Sequence, residues 1–300
     1  MRATASRTAE LPPDAEITPA VDIAPTAGLC NRIVRLHEDL SRLGNLAPAP
    51  EVDALFEELV RVCVRADGRA AAAVLADARI QRLRPDLLRL CSQGESLLEQ
   101  AWAHGVLEAA DPWAELGRFP YLDNYQQLSR LEVHTLAGAG HVPRPGRRVC
   151  FLGGGPLPLS ALLMHRELGA AMNIVDNEPQ AADLARRLLE RLAPGPGLRV
   201  TQADATSTAD MTRLLAGCDV VVVAALVGHT RDQKRTVLHT VGRALEPGAY
   251  LVVRSAHGLR SLLYAVVELD DVADAAGCVP QVLVHPLGDV VNSVLVARRR

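Results

Sequence analysis

The sequence predicts an α/β fold in which an all-helical first half precedes a mostly parallel sheet. Up to about Gly140, apolar residues recur at helical spacing and no strand alternation interrupts them. Beyond residue 148, short apolar runs alternate with helical segments, as in a doubly wound sheet. A glycine turn at residues 153–155 joins the first apolar run to a helix. The Pro-rich residues 141–148 separate the two halves.

The composition indicates a globular chain that acts on small molecules. Of its 300 residues, 49% are hydrophobic and 22% are charged. The net charge of -3 and a pI near 6.3 give no bulk attraction to nucleic acid or an anionic membrane. Six scattered cysteines without a CxxC pair predict buried thiols rather than a metal site. Without an export signal or a run long enough to span a bilayer, we expect a cytoplasmic protein.

We expect three parts along the chain. Residues 1–25 lack periodicity, which predicts a flexible arm. Residues 26–142 form a helical domain that contributes to the substrate pocket, and residues 143–300 form the sheet domain. Within the helical part, separate helices are expected at about 68–90, 94–109 and 122–137.

The second half resembles a Rossmann-like sheet of the class I type found in methyltransferases that use S-adenosylmethionine (SAM). The last two apolar runs lie close together with no helix between them, which predicts an antiparallel hairpin that ends the sheet. Strands are expected at 149–152, 173–175, 199–202, 220–224, 250–254, 281–285 and 290–297. Ligands of such sheets bind at the carboxyl ends of the strands.

The glycine turn favours SAM over a dinucleotide. Gly153, Gly154 and Gly155 allow positive φ and a close approach of ligand and backbone. Pro156 and Pro158 have no N–H group to offer a pyrophosphate, and the third glycine of the NAD fingerprint is absent. A tight turn without a ligand remains the alternative.

Two acidic residues follow strands where a nucleoside would lie. Asp176 ends the second strand, about 20 residues beyond the glycines, where a carboxylate can accept hydrogen bonds from ribose hydroxyls. Asp204 ends the third strand and could contact the adenine amino group. Either residue could instead be a helix N-cap, and Glu178 could substitute for Asp176.

Three further groups of side chains stand out. Arg254 and His257, in the segment RSAHG, offer a cation and an imidazole at the end of a strand. Tyr121 and Tyr125 suggest a substrate lid, although packing would also explain them. Glu95 and Glu99 share a helix face, and most pairs of this kind are solvated surface.

Six segments give the sequence a specific resemblance to the nicotianamine synthase family. It covers about residues 94–298, and AALVG, RSAHG and VVNSV are not general methyltransferase features. In chain order the segments are FPYLDNYQQLSRLE, FLGGGPLPLS, VDNEP, DVVVVAALVG, LEPGAYLVVRSAHGLRSLLY and HPLGDVVNSVLVAR.

The resemblance implies transfer of the 3-amino-3-carboxypropyl group of SAM to an amine, with release of 5′-methylthioadenosine. In complete nicotianamine synthesis, two transfers lengthen the chain and a third SAM is consumed as an azetidine ring closes. SAM is thus a substrate, no metal is required, and a homodimer is possible.

The resemblance also implies roles for individual residues. Glu95 and Tyr121 would bind and deprotonate the amine, with Glu99 in reserve. Tyr125, Arg254, His257 and Asn292 would bind substrate. The residues expected to contact SAM are Gly153, Gly154, Gly155, Asp176, Asn177, Asp204 and Ala224.

Several alternatives remain open at this point. A single transfer to another amino acid such as histidine, or cyclisation of SAM to azetidine-2-carboxylate, would use the same carbon and leaving group. An ordinary methyltransferase would be expected to lack the FPY and RSAHG segments. A SAM-binding protein without activity would be expected to have lost Glu95 or Tyr121, and both are present.

Overall fold

The computed structural model describes residues 23–142 and 146–300. The expected arm lies outside the described residues up to position 22, whereas positions 23–25 already belong to the first helix. Six helices occupy the described part of the first half. They are α1 (Ile23–Arg42), α2 (Pro50–Arg65), α3 (Gly68–Ala76), α4 (Ala78–Glu108), α5 (Pro112–Leu116) and α6 (Leu122–Gly138).

The second half is a seven-stranded mixed sheet with helices between its strands, which confirms the predicted fold class. Its strands are β1 (Arg148–Leu152), β2 (Ala171–Asp176), β3 (Leu198–Gln202), β4 (Val220–Val223), β5 (Tyr250–Ser255), β6 (Cys278–Val284) and β7 (Ser293–Arg299). Their spatial order is β3-β2-β1-β4-β5-β7-β6. Strands β1 to β5 are parallel, and β7 lies antiparallel between β5 and β6.

Four helices connect the parallel strands. They are α7 (Leu159–Leu168), α8 (Pro179–Leu192), α9 (Thr208–Leu215) and α10 (Arg231–Ala244). The predicted hairpin at the end of the sheet is confirmed, but its strand bounds were misplaced. Strand β6 already begins at Cys278, because the register shift between Pro280 and Val282 lets this edge strand accommodate a proline.

The expected break between residues 90 and 94 is wrong, because α4 is one continuous helix of 31 residues. The break lies instead at Asp77, whose carboxylate accepts a hydrogen bond from the Arg79 amide at 2.8 Å and caps α4. Glycine occurs at position 94, inside the helix, because the Phe56 ring occupies the space that a larger side chain would need. Glu95 and Glu99 therefore sit in the middle of a long helix.

The helical half shares a hydrophobic core with the segment that follows β5. One apolar cluster lies on each face of the sheet, and a third lies among α1 to α4. Leu259, Leu262 and Leu263, from a 3-10 turn (Gly258–Leu262) and its C-cap, belong to this third cluster. The division into domains at residue 142 stays a prediction, since packing joins the two parts.

The six cysteines are all buried and free, as the sequence predicted. Among residues 23–142 and 146–300, no helix has both the length and the apolar character needed to cross a membrane.

We predict that Gly242→Ala destabilises the protein by about 2 kcal/mol, because a Cβ at this position of α10 would collide with the backbone of Ala276. Gly105→Ala in α4 is the control, since open space surrounds that position and alanine favours a helix by about 0.5–1 kcal/mol. Chemical denaturation measures both. Equal stability of the two variants would contradict this packing.

Candidate active site

The glycine turn is held against the end of β2 by main-chain hydrogen bonds. The amides of Gly153 and Gly154 donate to the Val175 carbonyl at 2.8 and 3.1 Å. Gly153 and Gly155 have φ of 86° and 65°, values that glycine adopts more readily than residues with a side chain. The Gly155 amide donates to Asp176 Oδ2 at 2.7 Å. One carboxylate therefore ties the turn to the strand end while keeping free lone pairs for a ligand.

A cavity of about 650 Å³, here called the glycine-turn cavity, opens above this turn. Its volume is in the range of small-molecule sites. All seven residues expected to contact SAM line it, as do Tyr125, Arg254 and Asn292. Glu178 lines it beside Asp176. Asp204 is not a helix N-cap: it accepts hydrogen bonds from Thr206, and Ser207 caps α9.

Two carboxylates of α4 face the glycine turn from the helical half. Tyr264 donates a hydrogen bond to Glu95 Oε2 at 2.7 Å, and Tyr125 donates to Glu99 Oε1 at 2.9 Å. Glu99 lies so close to Gly155 that a side chain there would collide with its carboxylate. The interpretation of these acids as solvated surface is therefore wrong.

Burial raises the pKa of both carboxyl groups, and the charge of Glu95 raises that of Glu99 further. Hydrogen bonding from Tyr264 and the charge of Arg254 partly offset the effect of burial at Glu95. Because each charge opposes the other, the two acids lose their protons in separate steps, and the pair with one proton left can still accept another.

Tyr121 lies beside a smaller cavity rather than on the wall of the glycine-turn cavity. This tyrosine cavity has a volume of about 150 Å³, and Glu95, Tyr125 and Tyr264 line both spaces. Tyr121 and Tyr125 each pack edge-on against Phe119, with ring centroids 5.9 and 5.8 Å apart. The tyrosine cavity therefore meets the glycine-turn cavity at Glu95, and Tyr121 lies on the wall of the tyrosine cavity alone.

Arg254 is fixed by a buried ion pair with Glu132. Its Nε and Nη2 donate to the two carboxylate oxygens at 2.7 and 3.0 Å, and the two residues are 6% and 0% exposed. Burial lowers the pKa of Arg254, but the charge and hydrogen bonds of Glu132 raise it. The arginine pKa therefore lies above its usual value. No described residue accepts a hydrogen bond from Nη1, which leaves that nitrogen for a ligand.

Asn292 supplies a second unused donor in the same cavity. It is 6% exposed, and its Nδ2 is buried without a hydrogen-bond partner among the described residues. A buried amide without a partner is costly, so a ligand oxygen would stabilise it.

His257 does not line the glycine-turn cavity. It stacks on His285, with ring centroids 4.1 Å apart, in a different cleft on the other side of the 3-10 turn. Its assignment to substrate binding stays a prediction.

Sequence reasoning missed three residues that build the site, Tyr264, Lys234 and Glu132. Tyr264 lies in a family segment but was not singled out. Lys234 is the only lysine among 32 basic residues, and that rarity was an available signal. It is 1% exposed, and its Nζ donates to the carbonyls of Ala224 and Ala225 at 3.1 and 2.6 Å. It therefore holds the loop after β4, while burial lowers its pKa to about 7.

Among the described residues, no group of three or more His, Cys, Asp or Glu side chains is arranged to hold a metal ion.

Comparisons with known proteins agree with this geometry. The family described as nicotianamine synthase protein matches residues 23–300. The chain is 41% identical over 276 residues to nicotianamine synthase-like 5 protein of Hordeum vulgare, covering 91% of this chain and 95% of the relative. It is 40% identical over 279 residues to nicotianamine synthase 2 of Oryza sativa subsp. japonica, covering 91% and 83%.

Solved structures of MtNAS resemble the whole chain. MtNAS in complex with MTA and tNA matches with a TM-score of 0.77 at 26% identity, covering 94% of this chain and 100% of that one. The E81Q mutant in complex with S-adenosylmethionine matches with a TM-score of 0.76 at 27% identity, covering 90% and 97%. With the helical half and the sheet both matched, this chain belongs to the nicotianamine synthase family.

Proposed function

We propose that this chain transfers the 3-amino-3-carboxypropyl group of SAM to an amine, releases 5′-methylthioadenosine and so builds nicotianamine. The observation that carries the proposal is the pair of half-buried acids, Glu95 and Glu99, opposite the glycine turn. They provide a proton acceptor beside a site for a sulfonium, within a chain of this family.

The ends of the strands would bind the nucleoside of SAM. Asp176 has lone pairs left for the ribose hydroxyls, and the free oxygen of Asp204 can accept from the adenine amino group. The glycines let the ligand approach the backbone closely, and Asn177 and Ala224 complete the wall.

The amino acid arm of SAM would lie between the turn and α4. Arg254 Nη1 and Asn292 Nδ2 are donors suited to its carboxylate. Glu99 lies beside Gly155, where it can bind the ammonium group. The two positive charges of the bound SAM favour the ionised form of both acids, so substrate binding would lower their raised pKa values.

The position of the nucleophile then decides which carbon is transferred. All three carbons on a sulfonium are electrophilic, and an in-line approach selects one of them. The uncharged amine forms a bond to the carbon of the long arm, while the carbon–sulfur bond breaks and its electron pair stays on sulfur. The amine proton passes to Glu95, with Tyr121 and Tyr125 orienting the amine from the tyrosine cavity.

A single transfer to histidine, or direct cyclisation of SAM, has no support beyond the shared carbon and leaving group. An ordinary methyltransferase would leave the two half-buried acids of α4 unexplained. Cytoplasmic location and a homodimer stay predictions.

We predict that the purified protein converts SAM alone into 5′-methylthioadenosine and nicotianamine in a ratio of about three to one, because two transfers and one ring closure each release one thioether. Mass spectrometry with internal standards measures the ratio. A ratio near one to one with free azetidine-2-carboxylate would identify direct cyclisation instead. S-adenosylhomocysteine as the product would reject the transfer.

We also predict that Glu95→Gln retains SAM binding but lowers turnover by roughly 100-fold, the usual contribution of a positioned base. Because a base must lose its proton to act, wild-type kcat/KM, which reports the free enzyme, should rise with pH through the raised pKa of Glu95, and the variant should lack this rise. Glu108→Gln is the control, since Glu108 is an exposed residue of the same helix. Unchanged turnover in Glu95→Gln would remove this residue from the mechanism.

A further inference from the structure

A larger cavity of about 1420 Å³ adjoins the glycine-turn cavity along the outer side of α4. We call it the cationic cleft and define it by Arg84, Arg260, His257 and His285, which all line it. Its wall is shared with the glycine-turn cavity at Ser92, Ser96, His229 and Gln233. A ligand that extends from the glycine-turn cavity can therefore enter the cleft.

The cleft carries an excess of positive charge. Four arginines and three histidines line it, against one carboxylate, Glu268. Two of the arginines are neutralised locally: Arg89 pairs with Asp86, and Arg231 pairs with Asp271.

The other two arginines, Arg84 and Arg260, are positioned but not neutralised. Among the described residues, neither has a carboxylate oxygen within 4.0 Å. Arg84 Nε donates to the Ser261 carbonyl at 3.2 Å, and Arg260 Nη2 donates to the Gly288 carbonyl at 2.7 Å. Arg260 Nε is buried without a partner. Burial lowers the pKa of both guanidinium groups, and at Arg260 the charge of Asp289 offsets this only in part, so a bound anion would stabilise them.

The charge of the cleft does not suit SAM itself. SAM has a sulfonium, an ammonium and one carboxylate, so it is a net cation. The acceptor is different, because each transfer adds one more carboxylate to it. Arginine binds carboxylates with paired, charge-assisted hydrogen bonds.

The volumes of the cavities also indicate that the acceptor extends into the cationic cleft. The tyrosine cavity, at about 150 Å³, is smaller than the sites that usually hold small-molecule ligands, at roughly 300–1,000 Å³. It has room for the reacting amine but not for a chain lengthened by two transfers. The cationic cleft has room for the remainder.

We propose that the cationic cleft binds the carboxylates of the growing amino-polycarboxylate chain through Arg84 and Arg260. This inference rests on the proposed function, which supplies such a chain. Held in this way, a singly extended intermediate stays beside the next SAM instead of dissociating.

The test uses nicotianamine, a tricarboxylate, and 5′-methylthioadenosine, which has no carboxylate, as probes in calorimetric titrations of the full-length protein. Arg84→Gln and Arg260→Gln should each raise the Kd for nicotianamine about tenfold, the effect of one charge-assisted hydrogen bond, and leave that for 5′-methylthioadenosine unchanged. Both should also raise the fraction of singly extended intermediate released from SAM. Arg89→Gln is the matched control, because Asp86 already neutralises Arg89 in the same cleft.

Unchanged nicotianamine affinity and unchanged intermediate release in both variants would overturn the proposal. If one variant fails to fold, the other still tests the proposal, and the wild-type Kd for nicotianamine should rise with salt while that for 5′-methylthioadenosine stays flat. A salt-independent nicotianamine Kd would count against the cleft. A wild type that forms no product but binds nicotianamine through these arginines would refute the proposed function and retain the carboxylate site.

Discussion

The buried ion pair between Arg254 and Glu132 is the interaction on which the site depends. It joins the end of β5, in the sheet, to the middle of α6, in the helical half. Removing one partner of such a pair costs about 3–5 kcal/mol, because the other charge stays buried and unpaired. The pair therefore fixes where the helical half sits over the strand ends, and keeps a cation beside the acids of α4.

Charge balance within the cavity follows from this arrangement. Burial favours the neutral forms of Glu95 and Glu99, and the same effect depresses the pKa of Lys234. Arg254 is kept charged mainly by Glu132, and Glu95, which faces the ligand, contributes less. An entering cationic substrate thus meets carboxylates not already committed to an ion pair, which gives the site a preference for sulfonium and ammonium groups.

The sequence predicted those features that depend on local pattern. The glycine turn, the alternation of strands and helices, and the shared face of Glu95 and Glu99 all follow from residue spacing. The continuity of α4 could not be predicted in this way, because Gly94 is explained by Phe56 on another helix. His257 follows Arg254 by three residues, yet the 3-10 turn after β5 directs it into the cationic cleft. Glu132, Lys234 and Tyr264 gain their roles only through tertiary contacts.

The central claim is that α4 and the glycine turn present the long arm of SAM, not its methyl group, to the nucleophile. SAM labelled at the methyl carbon tests this directly when its products are followed by carbon NMR. Our account predicts that the label stays on sulfur, in 5′-methylthioadenosine, through every turnover. Appearance of the label on a nitrogen of the product would contradict it.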